Sequence, residues 1–288
     1  MQQARSIDHH DSEGRPSISE AASIPSLMHI EAAEMAAVEL ECFHACLEAL
    51  APADWDQPTA CTLWNVRQVV AHVTGAAASY ARWSQFKRQH SPFVQRPYRQ
   101  AGFSLLDAIN QIQVDDRTIA TPAELLAELR EVGPRAIATR KRLPAIVRAV
   151  RLPLPLLGVV PLGYATDLIY TRDIWMHRLD ICRATGHEMV QTPRHDGRIT
   201  ALVVRDLARK LTPKLAGQAV VYELTGISGE CWRLGENASP IARITMDVLD
   251  FHLKASGRLP AHELASHASF SGDEHIARLA LDNTQVPY

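Results

Sequence analysis

The sequence of 288 residues predicts an α+β protein of two domains, with a helical N-terminal domain and a small α+β C-terminal domain. Apolar residues recur at helical spacing from about residue 26 to residue 186, whereas alternating segments typical of strands begin near residue 218. A polar linker, residues 187–197, separates the two patterns. We therefore expect a helical domain over residues 26–188 and an α+β domain over residues 196–288.

The composition argues against several classes of protein. The formal net charge is −2 and the Lys and Arg residues are scattered, so we expect no nucleic acid partner. No apolar run reaches the roughly 18–20 residues of a membrane span, and Met1–Pro16 lacks the apolar core of a secretory signal. Five cysteines with no C-x-x-C pair do not suggest a disulfide framework. We expect a cytoplasmic protein with no membrane partner.

The N-terminal segment and the first two helices are predicted from residue polarity and from residues that typically begin or end a helix. Residues 1–25 are too polar to offset the entropy of ordering and predict a disordered tail. Helical spacing over 26–50 predicts the first helix, which stops before Pro52. Thr62 is a candidate cap for a second helix, which begins near Trp64 and runs to about residue 87.

Prolines divide the rest of the helical domain. A loop with Pro92 and Pro97 precedes helical segments at 103–114 and 122–149. The apolar segment 152–163 carries three prolines and is too short to span a membrane, so it predicts a buried or pocket-lining connection. Two roles are possible for this segment: it either fills space in the core or forms a wall that faces the substrate.

The last helix of the domain ends at Gly186, a residue suited to a left-handed cap. Beyond the linker, periodicity predicts a second set of elements. These are a helix at 199–212, strands at 218–225, 229–234 and 241–246, and helices at 247–257 and 273–282.

Two histidine segments about a hundred residues apart carry the candidate chemistry. Asp173 and His177 are four residues apart, so on a helix their side chains share one face and converge on one ion. His72 must then come from a second helix. Three ligands of this kind leave one position open, which is typical of a catalytic metal site. From the spacing alone, buried structural histidines are the alternative.

Asp180 lies three residues after His177, near the same helix face. It could be a fourth ligand, it could orient His177, or it could pair with Arg178 or Arg183. Arg67 is expected to pair with an acidic neighbour.

A resemblance to a known family rests on three stretches. The first comprises Asp54-Trp55-Asp56, Pro58-Thr59, Cys61, Trp64, Val66-Arg67, Val69-Val70-Ala71-His72 and Gly75. The second comprises Asp173, His177-Arg178, Asp180-Ile181, Ala184 and Gly186, and the third comprises residues 244–258 with Gly272-Asp273. Together they resemble the mycothiol-dependent maleylpyruvate isomerase family, within the DinB-like superfamily, over roughly residues 28–288.

The resemblance implies an antiparallel DinB-like four-helix bundle, a sterol-carrier-like C-terminal domain, and a divalent ion such as zinc bound by His72, Asp173 and His177. Isomerases of this family usually have glutamate four residues before the second histidine. Asp173 is one methylene shorter, so closer helices, an intervening water or a different metal preference are the alternatives.

The resemblance also implies a reaction. The metal site holds mycothiol as a thiolate, which adds to the double bond of maleylpyruvate; rotation and loss of the thiol then give fumarylpyruvate. Arg258 matches a Gly-Arg of the second domain and is the candidate catalytic residue, as a clamp for a carboxylate of the substrate or of the thiol. An exposed arginine at a helix C-terminus is the alternative.

Three functional classes are open at this point. A metal-dependent enzyme that uses a low-molecular-weight thiol on a small molecule, as an isomerase or as an S-transferase for an electrophile, is favoured. The others are a carrier of a hydrophobic ligand with a structural metal, and an interaction protein that has lost catalysis. An open metal position beside a cleft favours the enzyme, whereas Asp180 as a fourth ligand favours a structural ion.

Overall fold

A computed structural model describes residues 17–61, 63–154, 158–260 and 262–288. It combines helices with a five-stranded sheet, so the mixed α and β composition predicted from the sequence is confirmed. The first helices are α1 (His29–Glu48), α2 (Val66–Ala81), α3 (Trp83–Gln89), α4 (Pro92–Gln100), α5 (Leu105–Asp115), α6 (Pro122–Lys141), α7 (Ala145–Arg148), α8 (Leu162–Tyr164) and α9 (Tyr170–Thr185). The later ones are α10 (Asp196–Leu211), α11 (Val248–Ala255), α12 (Leu264–His267) and α13 (Glu274–Asp282). Within the described ranges, no helix is both long and apolar enough to cross a membrane.

The helical part is built around four long helices. Helix α2 packs on α6, α1 packs on both α6 and α9, and α5 lies against α2. Valines recur along α2 at helical spacing, and Val66, Val69, Val70 and Val73 are all buried in the same apolar cluster. This packing brings α2 and α9, which carry the two histidine segments, into contact.

Several helix boundaries differ from the predicted ones. Thr62 lies outside the described residues, and Asn65 caps α2 by accepting a hydrogen bond from the backbone N–H of Gln68. The predicted second helix is interrupted at Arg82, whose backbone is extended, so α2 and α3 are separate. The predicted loop at Pro92 is wrong, because proline is compatible with the first turn of a helix and Pro92 begins α4.

The proline-rich segment forms two short antiparallel strands, β2 (Arg151–Leu154) and β3 (Gly158–Pro161). Half of the residues of 152–163 whose burial is described are exposed, and the others are partly or fully buried. Pro161 and Gly163 border a cavity that contains neither histidine segment. The described part of this segment is therefore a half-exposed connection that borders a cavity, as the pocket-lining alternative predicts, but it does not form a wall beside the histidine segments.

The sheet contains β1 (Ser19–Glu20), β4 (Ala219–Thr225), β5 (Cys231–Gly235), β6 (Ala242–Asp247) and β7 (Ala268–Gly272), in the order β1-β5-β4-β6-β7. Strand β4 pairs parallel with β6 and antiparallel with β5. The strands predicted near 218–225, 229–234 and 241–246 correspond to β4, β5 and β6, whereas β7 was not predicted.

The predicted N-terminal tail is partly wrong. Residues 1–16 lie outside the described residues, but β1 pairs with β5 and Ala21 is fully buried in the core of the sheet. Strand pairing supplies hydrogen bonds and Ala21 supplies apolar contact, and neither is visible in the composition of a polar segment.

A buried charge network joins the helical part to α10. Arg178 of α9 donates to the Glu39 carboxylate of α1 at 2.8 Å and to Asp196 of α10 at 2.7 Å. His195 Nε2 is 2.8 Å from Glu39 Oε2. The side chains of Arg178, Glu39 and Asp196 are at most 2% exposed, so the charges rely on one another for compensation.

We expect Arg178→Leu to lower the free energy of unfolding by about 3–5 kcal/mol, because it leaves two buried carboxylates without their cation. Urea unfolding measures this loss. The control is Arg130→Leu, which breaks an ion pair with Glu48 whose two side chains are 56% and 54% exposed. This control should cost less than about 1 kcal/mol, and equal losses in the two variants would contradict the prediction.

Candidate metal centre and substrate cavity

The structure brings together the three residues predicted as metal ligands. Helix α2 carries His72, and its Nε2 atom lies 3.2 Å from Oδ2 of Asp173 on α9. Nε2 of His177 lies 3.4 Å from Oδ1 of the same carboxylate. One ligand atom from each of the three residues lies within 4.8 Å of the other two. Both histidines are buried, whereas the Asp173 side chain is 30% exposed.

The hydrogen bonds of the two histidines orient their other nitrogens. His72 Nδ1 is 2.8 Å from Gln113 Oε1, and the Gln113 amide nitrogen donates to Gln89 Oε1. His177 Nδ1 is 3.0 Å from Asp180 Oδ2. Because both acceptors are oxygens, we assign the ring protons to Nδ1, which leaves both Nε2 atoms as ligands. Two imidazoles and a carboxylate suit zinc as well as several other divalent ions.

A glycine explains why Gln113 reaches His72. A Cβ atom built on Gly75 of α2 would lie 2.5 Å from Cβ of Gln113, which is closer than real contacts allow. The absence of a side chain at Gly75 therefore lets α5 approach α2. Another residue at this position would push Gln113 away from the imidazole of His72.

Asp180 orients His177 and pairs with an arginine, but the partner is neither Arg178 nor Arg183 as predicted. Arg258 donates from Nε to Oδ1 of Asp180 at 2.6 Å and from Nη2 to Oδ2 at 2.8 Å. Arg178 is instead bound to Glu39, because it lies on another face of α9. Asp180 contacts Nδ1 of His177, whereas Asp173 contacts Nε2.

Arg258, the candidate catalytic residue, follows α11 and reaches across from the C-terminal part of the chain. Its side chain is 15% exposed and borders the cavity beside the three candidate ligands. The alternative of an exposed arginine at a helix end is therefore wrong. Arg67, by contrast, pairs with Asp56 at 3.2 Å, as predicted.

Three further residues lie at the site although the sequence did not predict a functional role for them: Cys61, Trp64 and Gln113. Sγ of Cys61 is 3.4 Å from Asp180 and 3.3 Å from Arg258 Nη2, and the Trp64 ring is centred 5.0 Å from that of His72. Cys61 and Trp64 belong to a stretch that resembles the family, so that stretch could have identified them. Gln113 lies in none of the three stretches, and nothing in the sequence pointed to it. Cys61 and Asp180 also form a donor group with His177, although Arg258 disfavours a cation there.

The candidate ligands face a cavity of about 540 Å³, which we call the first cavity. Its lining combines charged and polar side chains with two aromatic ones, Trp64 and Phe103. It comprises Cys61, Leu63, Trp64, His72, Ala101, Gly102, Phe103, Asp107, Asn110, Gln111, Asp173, His177 and Arg258. The volume is sufficient for a small molecule beside the ligand group.

Opposite charges strongly perturb two of the candidate ligands. Burial by itself would raise the pKa of Asp173, but the imidazoles of His177 and His72 hold it well below its usual range. Burial by itself would lower the pKa of His177, but the Asp173 charge, followed by hydrogen bonds with Asp173 and Asp180, raises it well above its ordinary value. The negative charge of Asp173 that raises this pKa also attracts a metal ion, which would bind the neutral imidazole and release its proton.

The fold and the site define a mixed α and β protein with a His-Asp-His group beside a cavity. The model of the mycothiol maleylpyruvate isomerase N-terminal domain matches residues 36–182, just over half of the chain. The chain therefore belongs to the mycothiol maleylpyruvate isomerase family, and the resemblance seen in the sequence is confirmed.

Two solved structures share the fold. They are crystal structures of a mycothiol-dependent maleylpyruvate isomerase and of a histidine-to-alanine mutant of that enzyme, with TM-scores of 0.54 and 0.55. Each is 14% identical to this chain, and each alignment covers 88% of this chain and 96% of the other. No curated protein sequence matches the chain.

In chelator-treated protein we expect His177 to stay protonated at neutral pH, because the charge of Asp173 outweighs burial. The folded-state pKa then lies above the unfolded value of about 6.5. The stabilisation is complete below about pH 6.5 and is lost as the pH rises through the folded-state pKa. Nitrogen NMR of the imidazole measures this titration. Asp180→Asn should lower the pKa, and a pKa at or below 6.5 in the parent protein would refute the expectation.

Proposed function

We propose that this protein is a metal-dependent enzyme that uses mycothiol, with His72, Asp173 and His177 as ligands of a divalent ion, preferably zinc. The observation that carries the proposal is the convergence of two histidine Nε2 atoms on one carboxylate beside a cavity. Membership of the family supports mycothiol as the thiol.

The residues fit such an ion without rearrangement of the fold. When bound, a divalent ion with an open position lowers the pKa of a thiol and favours the thiolate. Asp173 already reaches both histidines at 3.2 and 3.4 Å, which supports direct ligation by its shorter side chain. Asp180 contacts the other nitrogen of His177, which favours three protein ligands over four.

Arg258 is proposed as the residue that binds the substrate or the thiol. Asp180 holds Nε and Nη2 of its guanidinium, so the group is oriented before any ligand arrives. Arg258 also borders the cavity that contains the three candidate ligands. It can therefore direct Nη1 to an anionic or carbonyl oxygen, while Trp64 shields one wall of the cavity from water.

We propose a DinB-like four-helix bundle over residues 26–188 and a sterol-carrier-like domain over residues 196–288, in a cytoplasmic protein. The reaction is a thiol-dependent cis-trans isomerisation like that of maleylpyruvate, or else the transfer of mycothiol to an electrophile. A carrier of a hydrophobic ligand with a structural metal is the non-catalytic alternative.

Elemental analysis of the purified protein should find about one divalent ion per chain, as expected for a single three-ligand site. His72→Ala and His177→Ala should each abolish metal retention, because two ligands do not hold the ion against dialysis. His187→Ala is the matched control, since this histidine is 41% exposed and contacts Asp54. Full metal retention in either ligand variant would exclude the site.

If the reaction is isomerisation, mycothiol and maleylpyruvate should give a metal-dependent change in the ultraviolet spectrum of the substrate. We expect Arg258→Lys to raise KM about tenfold or more, since it loses the planar donor geometry. Arg67→Lys, which alters only a surface pair, should leave KM unchanged. If the metal is present and maleylpyruvate is not converted, thiol transfer becomes the favoured reaction.

A further inference from the structure

His72 and Asp173 border a second cavity, of about 240 Å³. This second cavity lies among α2, α3, α5 and the turn of π-helix Ala165–Ile169 that leads into α9. His177 and Arg258 line the first cavity but not the second. The candidate metal centre is therefore accessible from two differently lined spaces.

The walls of the second cavity are apolar and aromatic. Tyr80 and Tyr170 pack edge to face with ring centroids 5.6 Å apart, and Phe86 stacks on His90 at 4.3 Å. Ile109 and further aliphatic side chains complete the lining. Rings and branched side chains of this kind favour a flat apolar ligand.

Away from the Asp173 carboxylate and the imidazoles of His72 and His90, the polar side chains of the second cavity are hydroxyl and amide groups. Ser79, Asn110 and Gln113 offer neutral hydroxyl and amide groups. Among the described residues that line it there is no lysine or arginine. Arg140 stacks on Tyr170 at 3.6 Å and donates to the carbonyl of Thr166, so its charge lies outside the lining.

The two cavities therefore suit different molecules. The first has Arg258, Asp107 and Gln111 in its lining and more than twice the volume, which suits a hydroxyl-rich thiol. A dicarboxylate that binds the candidate ion through one carboxylate would place the other in the second cavity, where no arginine or lysine of the described lining offers a cationic partner. An uncharged ring would lose little hydration there and would gain contact with aromatic walls.

We propose that the second cavity is the acceptor site and that it takes an uncharged, apolar aromatic electrophile. This inference rests on the proposed function and selects thiol transfer over isomerisation of a dicarboxylate. In the transfer, the thiol sulfur forms a bond to an electrophilic carbon. The bond from that carbon to a leaving halide breaks, the halide departs with the electron pair, and the thiol proton goes to solvent.

Equilibrium binding of a matched pair of ligands tests the site without turnover. The pair is 1-chloro-4-nitrobenzene, which is uncharged, and 4-nitrobenzoate, which has a similar size and a carboxylate. Isothermal titration of the chelator-treated protein, in which no ion is present to bind the carboxylate, should show binding of the uncharged ligand and at least about tenfold weaker binding of the carboxylate. Equal affinities, or preference for the carboxylate, would overturn the inference.

Two variants locate the binding. Ala76→Phe fills the second cavity and should abolish binding of the chloronitrobenzene, whereas Ala123→Phe adds the same ring at an exposed position of α6 and should not. Ile109→Arg supplies the missing cation and should raise the affinity for 4-nitrobenzoate about tenfold or more. If Ala76→Phe does not fold, as judged by circular dichroism, Ile109→Arg still tests whether the ligands bind in the second cavity. Unchanged ligand preference in Ile109→Arg would exclude the second cavity as the binding site.

Failure of this inference is distinguishable from failure of the proposed function. His177 does not line the second cavity, so His177→Ala should lose the metal and keep the affinity for the uncharged ligand. A parent protein that holds metal but does not bind the uncharged ligand overturns only the acceptor site. A parent protein that lacks metal overturns the proposed function, and the acceptor role falls with it.

Discussion

The hydrogen bond between His177 and Asp180 is the interaction on which the rest of the site depends. It leaves Nε2 of His177 facing Asp173, and it is itself held by two hydrogen bonds from Arg258. Because Arg258 follows α11, the orientation of a side chain on α9 depends on the C-terminal part of the chain. The candidate metal centre therefore requires both parts of the fold, although all three candidate ligands come from the helical part.

Helix α9 serves two sides of the molecule at once. One face carries Asp173, His177 and Asp180 toward the candidate metal centre, and another carries Arg178 into a buried network with Glu39 and Asp196. Each buried charge would be costly alone, so each is compensated by partners from other helices. These contacts restrain the rotation of α9 about its axis. Asp173 and His177 lie on one face of this helix, so both can point at the same ion only if that rotation is fixed.

The two cavities beside His72 and Asp173 bear on the reaction more directly than the ligand set does. A His-Asp-His group is compatible with many metal-dependent reactions. The linings differ in charge, volume and aromatic content, and these properties distinguish a dicarboxylate from an uncharged electrophile. Proteins with the same fold and the same kind of ligand group can therefore act on different substrates. The side chains that line the cavity select the substrate, and the metal ligands do not.

The sequence by itself determined what depends on local periodicity. The helices that carry the histidine segments, the shared face of Asp173 and His177, the left-handed cap at Gly186 and the three central strands all follow from patterns within about 20 residues. The family resemblance, which strengthened the assignment of His72 as the third candidate ligand, also rests on short motifs.

Only the tertiary structure decided which distant residues meet. The partner of Asp180 is 78 residues away in the sequence, and Gln113 reaches His72 because Gly75 lets two helices approach. The short strand at Ser19–Glu20 forms because β5 offers a free edge, which a polar composition does not reveal. In each case the contact is stabilised by a partner that is distant in the sequence. A local sequence pattern therefore could not predict it.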